Sequence, residues 1–368
     1  MLGRGRPGNG RFAQLELHRI PHSALHPPHL TLLFSTLVLA TFALVVAGCG
    51  RSDQPVVVVY TALDKEFSDP VLKRFEQQSG IKVLPKYDVE ATKTVGLVNT
   101  IRAEKNRPRC DVFWNNEIVN TLRLKEEGLL QPYKAKAAES FPEEFRDSEG
   151  YWTGFAGRAR VLIVNTDLVK TREEPASIYA LAGPKWKGKI GIAKPLFGTT
   201  ATHAACLFAH LGDEKAREYF ESIEKNDVQV QAGNKQCALQ VSAGKLAFAM
   251  TDTDDAIIEV EQGKPVKIVY PDSTPGELGV LFIPNTLALI KDCPNPEAGK
   301  QLIEYLLSPE VEAALAAAAS AQIPLNPEVE TETRVKTPGE VSVMKVDFEK
   351  AAAAFPRATE YIDEEFLK

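Results

Sequence analysis

From residue 54 onward, short apolar runs alternate with amphipathic stretches. The run VVVVY at 56–60 is uninterrupted, the pattern of a strand buried on both faces. Ser68-Asp69-Pro70 then predicts a helix start, with Leu72 and Phe75 on its apolar face and Gly80 as its stop. A second strand is expected at 81–84, a helix at 95–103, a strand at 111–114 and a helix at 118–127. Strand and helix in turn argue for a parallel α/β sheet covered on both faces.

The alternation restarts after Gly157. Strands are expected at 160–165, 189–193, 246–250, 266–270 and 286–290. Helices are expected at 200–210, 214–225, 235–243, 254–261, 296–307 and 309–319. There is no internal repeat and no low-complexity linker. Two α/β sheets without a linker predict lobes joined by strands that cross over, with a cleft between them. Ligands of such sheets sit beyond the carboxyl ends of strands, near helix N-termini. One junction stands out: AFAMTDTDDAIIEV at 247–260, where a strand over 247–250 and a helix from 256 flank Thr251, Asp252, Thr253, Asp254 and Asp255. Acids there suit a helix N-terminus, and a cap at this place also faces the cleft.

Length changes the picture first: at 368 residues the chain exceeds one ordinary core, so two domains are expected. The expected division is 49–157 with 281–330 in lobe 1, and 158–280 with 331–368 in lobe 2. Residues 1–48 stand apart. They hold Arg4, Arg6, Arg11 and Arg19 against one acid, Glu16, and an apolar run at 30–46 leads to Val46-Ala47-Gly48-Cys49. A basic start, an apolar stretch and small residues before a cut describe an export signal. LVVAGC resembles a bacterial lipobox, which implies lipidation of Cys49 and a mature protein anchored on the periplasmic or cell-surface side. The rival is a plain membrane anchor, since the run approaches the length of a spanning helix.

The whole chain carries a net charge of −6, and its leader is basic, so the remainder beyond Cys49 is more acidic still. That balance excludes nucleic acid and anionic lipid surfaces as partners. Cys110, Cys206, Cys237 and Cys293 form no CxxC pair, which argues against zinc. One disulfide stays open in an oxidising compartment, without a pairing the sequence could name.

Several motifs fail on inspection. Gly183 to Lys189 matches the start of a P-loop, but Ile190 stands where Ser or Thr should hold magnesium, and a strand follows instead of a helix. His18, His22, His26 and His29 lie in the leader; His203 and His210 have no nucleophile motif beside them, and there is no GxSxG or HExxH. Carboxylates are plentiful, but no pair is singled out for hydrolysis. The chain is therefore expected not to be an enzyme and to use no catalytic cofactor, with an exported carboxylate-dependent hydrolase as the alternative from another class.

The better signals are for binding. Gly198, Thr199 and Thr200 sit between a strand and a helix, where free N–H groups and two hydroxyls form an anion cradle or merely a cap. Asn234 opens the next helix in the same way. Arg158 and Arg160, two apart entering a strand, point to one face and suit an anion or a hinge salt bridge.

The order of VVVYTALDKEF, SGIKV, DVFWNNE, GLLQPY, GRARVLIVNTDLV, PKWKGKIGIAKP, GTTATH and LLSPEVEAAL…IPLNP over 56–329 resembles the periplasmic substrate-binding proteins of ABC importers, in the ferric-iron-binding branch. The resemblance implies a two-lobed α/β fold with a hinged cleft. It also implies a permease and an ATPase as partners, a small ligand, and a monomer. In that branch ferric iron is held by paired tyrosines, a histidine, a glutamate and an anion. The histidine position falls on Asp64, the glutamate on Asn116 with Glu117 adjacent, and the anion loop on Gly198, Thr199 and Thr200 with Asn234 as helper. The tyrosine pair falls on Thr253 and Asp254, beside Asp252 and Thr251. Aspartates are hard oxygen donors that suit iron, calcium or magnesium alike. Fe3+ with an anion is the expected cargo; the alternative is a zwitterionic phosphonate or phosphate ester, its ammonium on the aspartates and its anion on the Gly198 loop.

Overall fold

The computed structural model describes residues 54–88 and 93–368; the export-signal and Cys49 readings lie outside them. Strand β1 (Val56–Thr61) lies parallel between β2 (Lys82–Tyr87) and β3 (Val112–Asn115). Pro85 is tolerated in β2 because that strand is the sheet edge, where a missing N–H breaks no ladder. Helix α1 (Lys65–Ser79) starts three residues ahead of the Ser68 start expected from sequence and carries Pro70 inside its second turn. Gly80 ends it in the left-handed conformation, at φ 71°. Helices α2 (Val95–Ala103) and α3 (Val119–Glu126) complete this half.

The hinge region is one long strand, β5 (Thr153–Asn165), buried along its whole length. Its first half pairs antiparallel with β10 (Phe282–Ile290), which pairs on its other side with β3 and with the short β4 (Leu130–Gln131). Its second half pairs with β8 (Phe248–Asp252) and β9 (Val266–Val269). The second sheet continues in parallel through β6 (Ile190–Ala193) to β7 (Gln229–Gln231). Two α/β sheets thus meet on a shared strand, the two-lobed fold expected from sequence. The run expected at 160–165 is seven residues longer at its start, because 153–159 are buried by the first sheet.

Beyond Phe155 the β5–β10 register slips between Ile283 and Asn285, and Ala156 adopts φ 43°. Such a bulge re-aims the next side chains. Glu312 clamps it: its carboxylate accepts from the backbone N–H groups of Ala156 (2.6 Å), Leu325 (3.0 Å) and Asn326 (2.8 Å). Glu312 lies on α9 (Pro309–Ala317), which follows α8 (Pro296–Leu306).

On the second sheet lie α4 (Gly198–Leu211), α5 (Asp213–Lys225), α6 (Asn234–Ser242) and α7 (Thr253–Glu261). One helix was not anticipated, α10 (Phe348–Tyr361), which packs on both α4 and α3. Its Asp347 cap accepts from Lys350 N, and Ala351, Ala352, Phe355 and Ala358 make the buried face. Cys110, Cys206, Cys237 and Cys293 are all buried, and among the described residues no disulfide joins them. Among the described residues no helix is long and apolar enough to cross a membrane.

Candidate functional site

Strands β6, β7 and β8 run parallel, and each feeds a helix: α4, α6 and α7. Three helix N-termini therefore converge, each carrying partial positive charge. The acidic junction is tighter than its sequence implied. Thr251 and Asp252 finish β8, and Thr253 begins α7 with no loop residue between. Asp252 is the N-cap by position, yet its side chain makes no capping bond. Its carboxylate instead accepts from Arg160 Nη1 (2.7 Å), Asn234 Nδ2 (2.9 Å) and the Thr199 hydroxyl (2.5 Å). One buried carboxylate thus ties β5, α6 and α4 to the end of β8.

Position 198 has φ 54°, a conformation glycine adopts without strain. Neither Thr199 nor Thr200 is the cap of α4; that place belongs to Phe197. Thr200 donates to Asn234 Oδ1 at 3.1 Å, and Asn234 Nδ2 donates to Thr199 Oγ1 at 2.9 Å. The side chains knit two helix starts together, and the backbone amides of Thr199 and Thr200 belong to the first turn, which has no intrahelical acceptor. Gly198 N donates across the cleft to the Lys93 carbonyl at 3.2 Å.

Facing this cradle, Asp254 is held by Arg158 Nε at 3.1 Å. Burial pushes the Asp254 carboxyl up, against the pull of Arg158. Asp255 beside it is pushed well above the carboxylate range, first by burial and then by the charge of Asp254. Asn116 joins from the first sheet: its carbonyl accepts from Arg158 Nη1 (2.9 Å), and its Oδ1 accepts from Thr94 (2.6 Å).

Of the residues expected from sequence, Gly198, Thr199, Thr200, Asn234, Asn116, Arg158, Asp252 and Asp254 line one small cleft, joined by Lys93, Lys194 and Asp255. The remaining expected residues do not line it. Arg160 is buried beneath, paired with Asp252. Thr251 donates to the Asn234 carbonyl (3.0 Å), and Thr253 Oγ1 accepts from Ala159 N (3.1 Å). Asp64 is ion-paired with Lys93 Nζ at 2.9 Å. Glu117 is fully buried and accepts from Asn115 Nδ2 (2.8 Å) and from Thr202 Oγ1 of α4 (2.7 Å). His203 is buried within α4, and burial with the nearby Arg160 lowers it to about 3, so it is neutral at ordinary pH.

The arginine pair expected to suit an anion or a salt bridge is spent on salt bridges. Each aspartate placed in the ligand set by the resemblance has a cation beside it: Lys93 for Asp64, Arg160 for Asp252, Arg158 for Asp254. Asp252, Asp254 and Asp255 still place one oxygen each within 4.8 Å of one another, close enough to share a metal ion. The chemistry available is an oxyanion on the helix starts and lysines, beside a cationic group on the acids.

Sequence reasoning missed Lys93, Asn285 and Gln322. Lys93 follows no motif and reaches the cleft from the turn before α2. Asn285 and Gln322 lie in largely apolar surroundings, FIPNTLALI and AQIPLNP, where an amide next to hydrophobics is the one available signal.

A family model described as bacterial extracellular solute-binding protein matches residues 119–350, more than half of the chain. Iron uptake protein A1 of a Synechocystis species is 26% identical over 293 residues, covering 73% of this chain and 79% of that one. A putative 2-aminoethylphosphonate-binding periplasmic protein of Salmonella typhi is 28% identical over 220 residues, covering 59% and 63%. The crystal structure of the apo ferric ion-binding protein A of Pasteurella haemolytica superposes with a TM-score of 0.74 at 25% identity, over 85% of this chain and 98% of that one.

Proposed function

Since the chain belongs to the bacterial extracellular solute-binding proteins, we propose that it captures, for an ABC importer, a small organic zwitterion: a phosphonate or phosphate ester that also bears an amine. The observation that carries this reading is the pairing of Arg158 with Asp254 inside a cleft whose other wall is the start of α4. Lys93, Lys194 and three helix N-termini offer a seat for an oxyanion. Asp254 and Asp255, partly neutralised and partly desolvated, suit a singly charged ammonium better than a bare trivalent ion, which demands several full anionic donors. A relative whose name gives it 2-aminoethylphosphonate supports the same choice.

Ferric iron carried with an anion is the second reading. It is favoured by the Asp252, Asp254 and Asp255 cluster and by relatives named for iron uptake. Thr253 and Asp254 stand where that branch carries tyrosines, so such a site would lack the phenolate charge-transfer band. Hydrolysis fits poorly, because the cleft carboxylates Asp252 and Asp254 are engaged by arginines, not free as an acid and a nucleophile. Export by residues 1–48, lipid attachment at Cys49 and delivery to a permease and ATPase complete the reading; the leader pattern and the family support them.

Calorimetry with 2-aminoethylphosphonate and with ferric citrate tests the choice. Binding of the phosphonate with no ferric binding is the expected result. Chelator-sensitive ferric binding alone would establish the second reading.

A further inference from the structure

Arg158, Asn285 and Gln322 are 2%, 0% and 1% exposed. Each comes from a different passage of the chain between the two sheets. Arg158 lies in β5, Asn285 near the start of β10 as the chain returns from β9, and Gln322 in the turn after α9, before the tail reaches α10. Arg158 Nη2 donates to Asn285 Oδ1 (3.0 Å) and to Gln322 Oε1 (3.2 Å). Asn285 Nδ2 donates to Gln322 Oε1 (2.6 Å) and to the Ala156 carbonyl. Gln322 Nε2 donates to Asp254 Oδ2 at 3.3 Å, the oxygen that Arg158 Nε also contacts at 3.1 Å. Neither amide lines the cleft.

Each amide has its oxygen and its nitrogen committed to different partners, so turning either one round would set donor against donor. That fixes the guanidinium in one orientation. It also supplies Arg158 with three neutral acceptors besides Asp254: Asn285 Oδ1, Gln322 Oε1 and the Asn116 carbonyl. A buried cation that loses its only carboxylate is strongly destabilising. Here Asp254 can turn to an incoming cation without stranding Arg158.

We propose that Asn285 and Gln322 are positioning residues of the cleft: they hold Arg158 when cargo takes Asp254, and they carry that exchange to all three passages between the sheets. The inference rests on the reading of Asp254 as the seat of the cargo's cationic group, and its test separates the two. A pathway claim requires measured coupling, so the test is a cycle between Gln322 and Asp254.

In the full-length protein, Gln322→Met is expected to weaken 2-aminoethylphosphonate by about tenfold, the order of one lost hydrogen bond to a charged group. In an Asp254→Asn background the same substitution is expected to change affinity less than about twofold. Equal losses in both backgrounds overturn the proposal. If the phosphonate binds neither protein, the cargo reading has failed, and hydrogen exchange of the ligand-free protein decides alone. Gln322→Met is then expected to speed exchange at 253–256 and 158–160 together, with α1 unchanged; unaltered exchange at 253–256 overturns the proposal. Should that variant not fold, Gln322→Glu, of equal volume, enters the same cycle and the same exchange measurement. Coupling to Asp254 below about twofold, with unaltered exchange at 253–256, overturns it there as well.

Discussion

Arg160 and Asp252 stand directly opposite each other on β5 and β8, and the guanidinium donates to the carboxylate at 2.7 Å with both residues out of solvent. This is a cross-strand ion pair at the point where the second sheet meets the cleft. Breaking it from one side leaves a buried charge alone, so Arg160→Met and Asp252→Leu are each expected to cost about 3–5 kcal/mol. The double variant is expected to cost well below the sum, since no charge is then stranded. Urea denaturation of the three variants checks this, and strict additivity would show that the two residues act independently.

Asp254 separates charge recognition from anion recognition. With Asp254→Asn, an amine-bearing phosphonate should lose affinity by about tenfold or more, the order of one charge-assisted hydrogen bond. Methylphosphonate, which has no amine, should bind the variant and the parent protein alike. Titrating both ligands against both proteins gives the comparison. Equal losses for the two ligands would mean that Asp254 shapes the cleft without meeting a cation.

Much of this fold was legible because its strands are short apolar runs bounded by helices with ordinary caps and stops. Helix α2 lies at the expected residues, and the helices expected over 214–225, 235–243 and 254–261 each begin one residue earlier. Errors arose where tertiary contacts override local signals. Pro70 reads as a first-turn proline, yet α1 begins earlier because Phe67 and Ser68 are buried. The TDTDD stretch reads as a capped loop, yet the ladder with β5 extends the strand through Asp252. The loops after β6, β7 and β8, singled out by their sequence, border one cleft in the structure. What no local pattern could supply was the neutralising partner of each acid, because Arg158, Arg160 and Lys93 lie dozens of residues away in sequence. The tail helix α10 has a weak sequence signature, because its apolar face is largely alanine.

Glu117 makes stability depend on pH. Burial raises its carboxyl in the folded protein, although Thr202, Asn115 and Asn120 pull the other way. A carboxyl raised by folding binds its proton more readily in the native state than in the unfolded one. The penalty for the charged form is therefore complete above the folded value. It is relieved as pH falls from there towards the unfolded value near 4.3. Glu117→Gln has no such proton to bind. The parent protein is thus expected to gain stability relative to Glu117→Gln as pH falls through the raised folded value towards the unfolded one, by roughly 1.4 kcal/mol for each tenfold difference in proton affinity between the folded and unfolded states. Paired urea titrations at several pH values measure the difference. A constant difference across that range would mean that Glu117 titrates as an ordinary surface acid.

The tail helix α10 packs on helices of both halves of the chain, and its Phe355 meets Arg123 of α3 in the first. The ring is buried, and the guanidinium of Arg123 on α3 lies 4.5 Å above it. Helix α3 begins just past Asn116 and Glu117, so its placement bears on the cleft wall. Phe355→Ala removes a large buried ring and is expected to cost about 3–5 kcal/mol. Arg123→Met keeps the packing of the stem but loses the cation over the ring, worth about 0.5–2 kcal/mol, together with the bond from Arg123 Nη1 to Asn120 Oδ1 at 2.8 Å. If α10 is integral to the fold, urea unfolding of Phe355→Ala stays a single transition at lower denaturant. If the helix is only an appendage, removing residues 348–368 leaves the midpoint of the remainder unchanged. The expected result is the first, because Phe208, Phe220, Tyr361 and Phe366 form one aromatic cluster that joins α4, α5 and the tail. Deleting the tail would expose that cluster and part of the core beneath it.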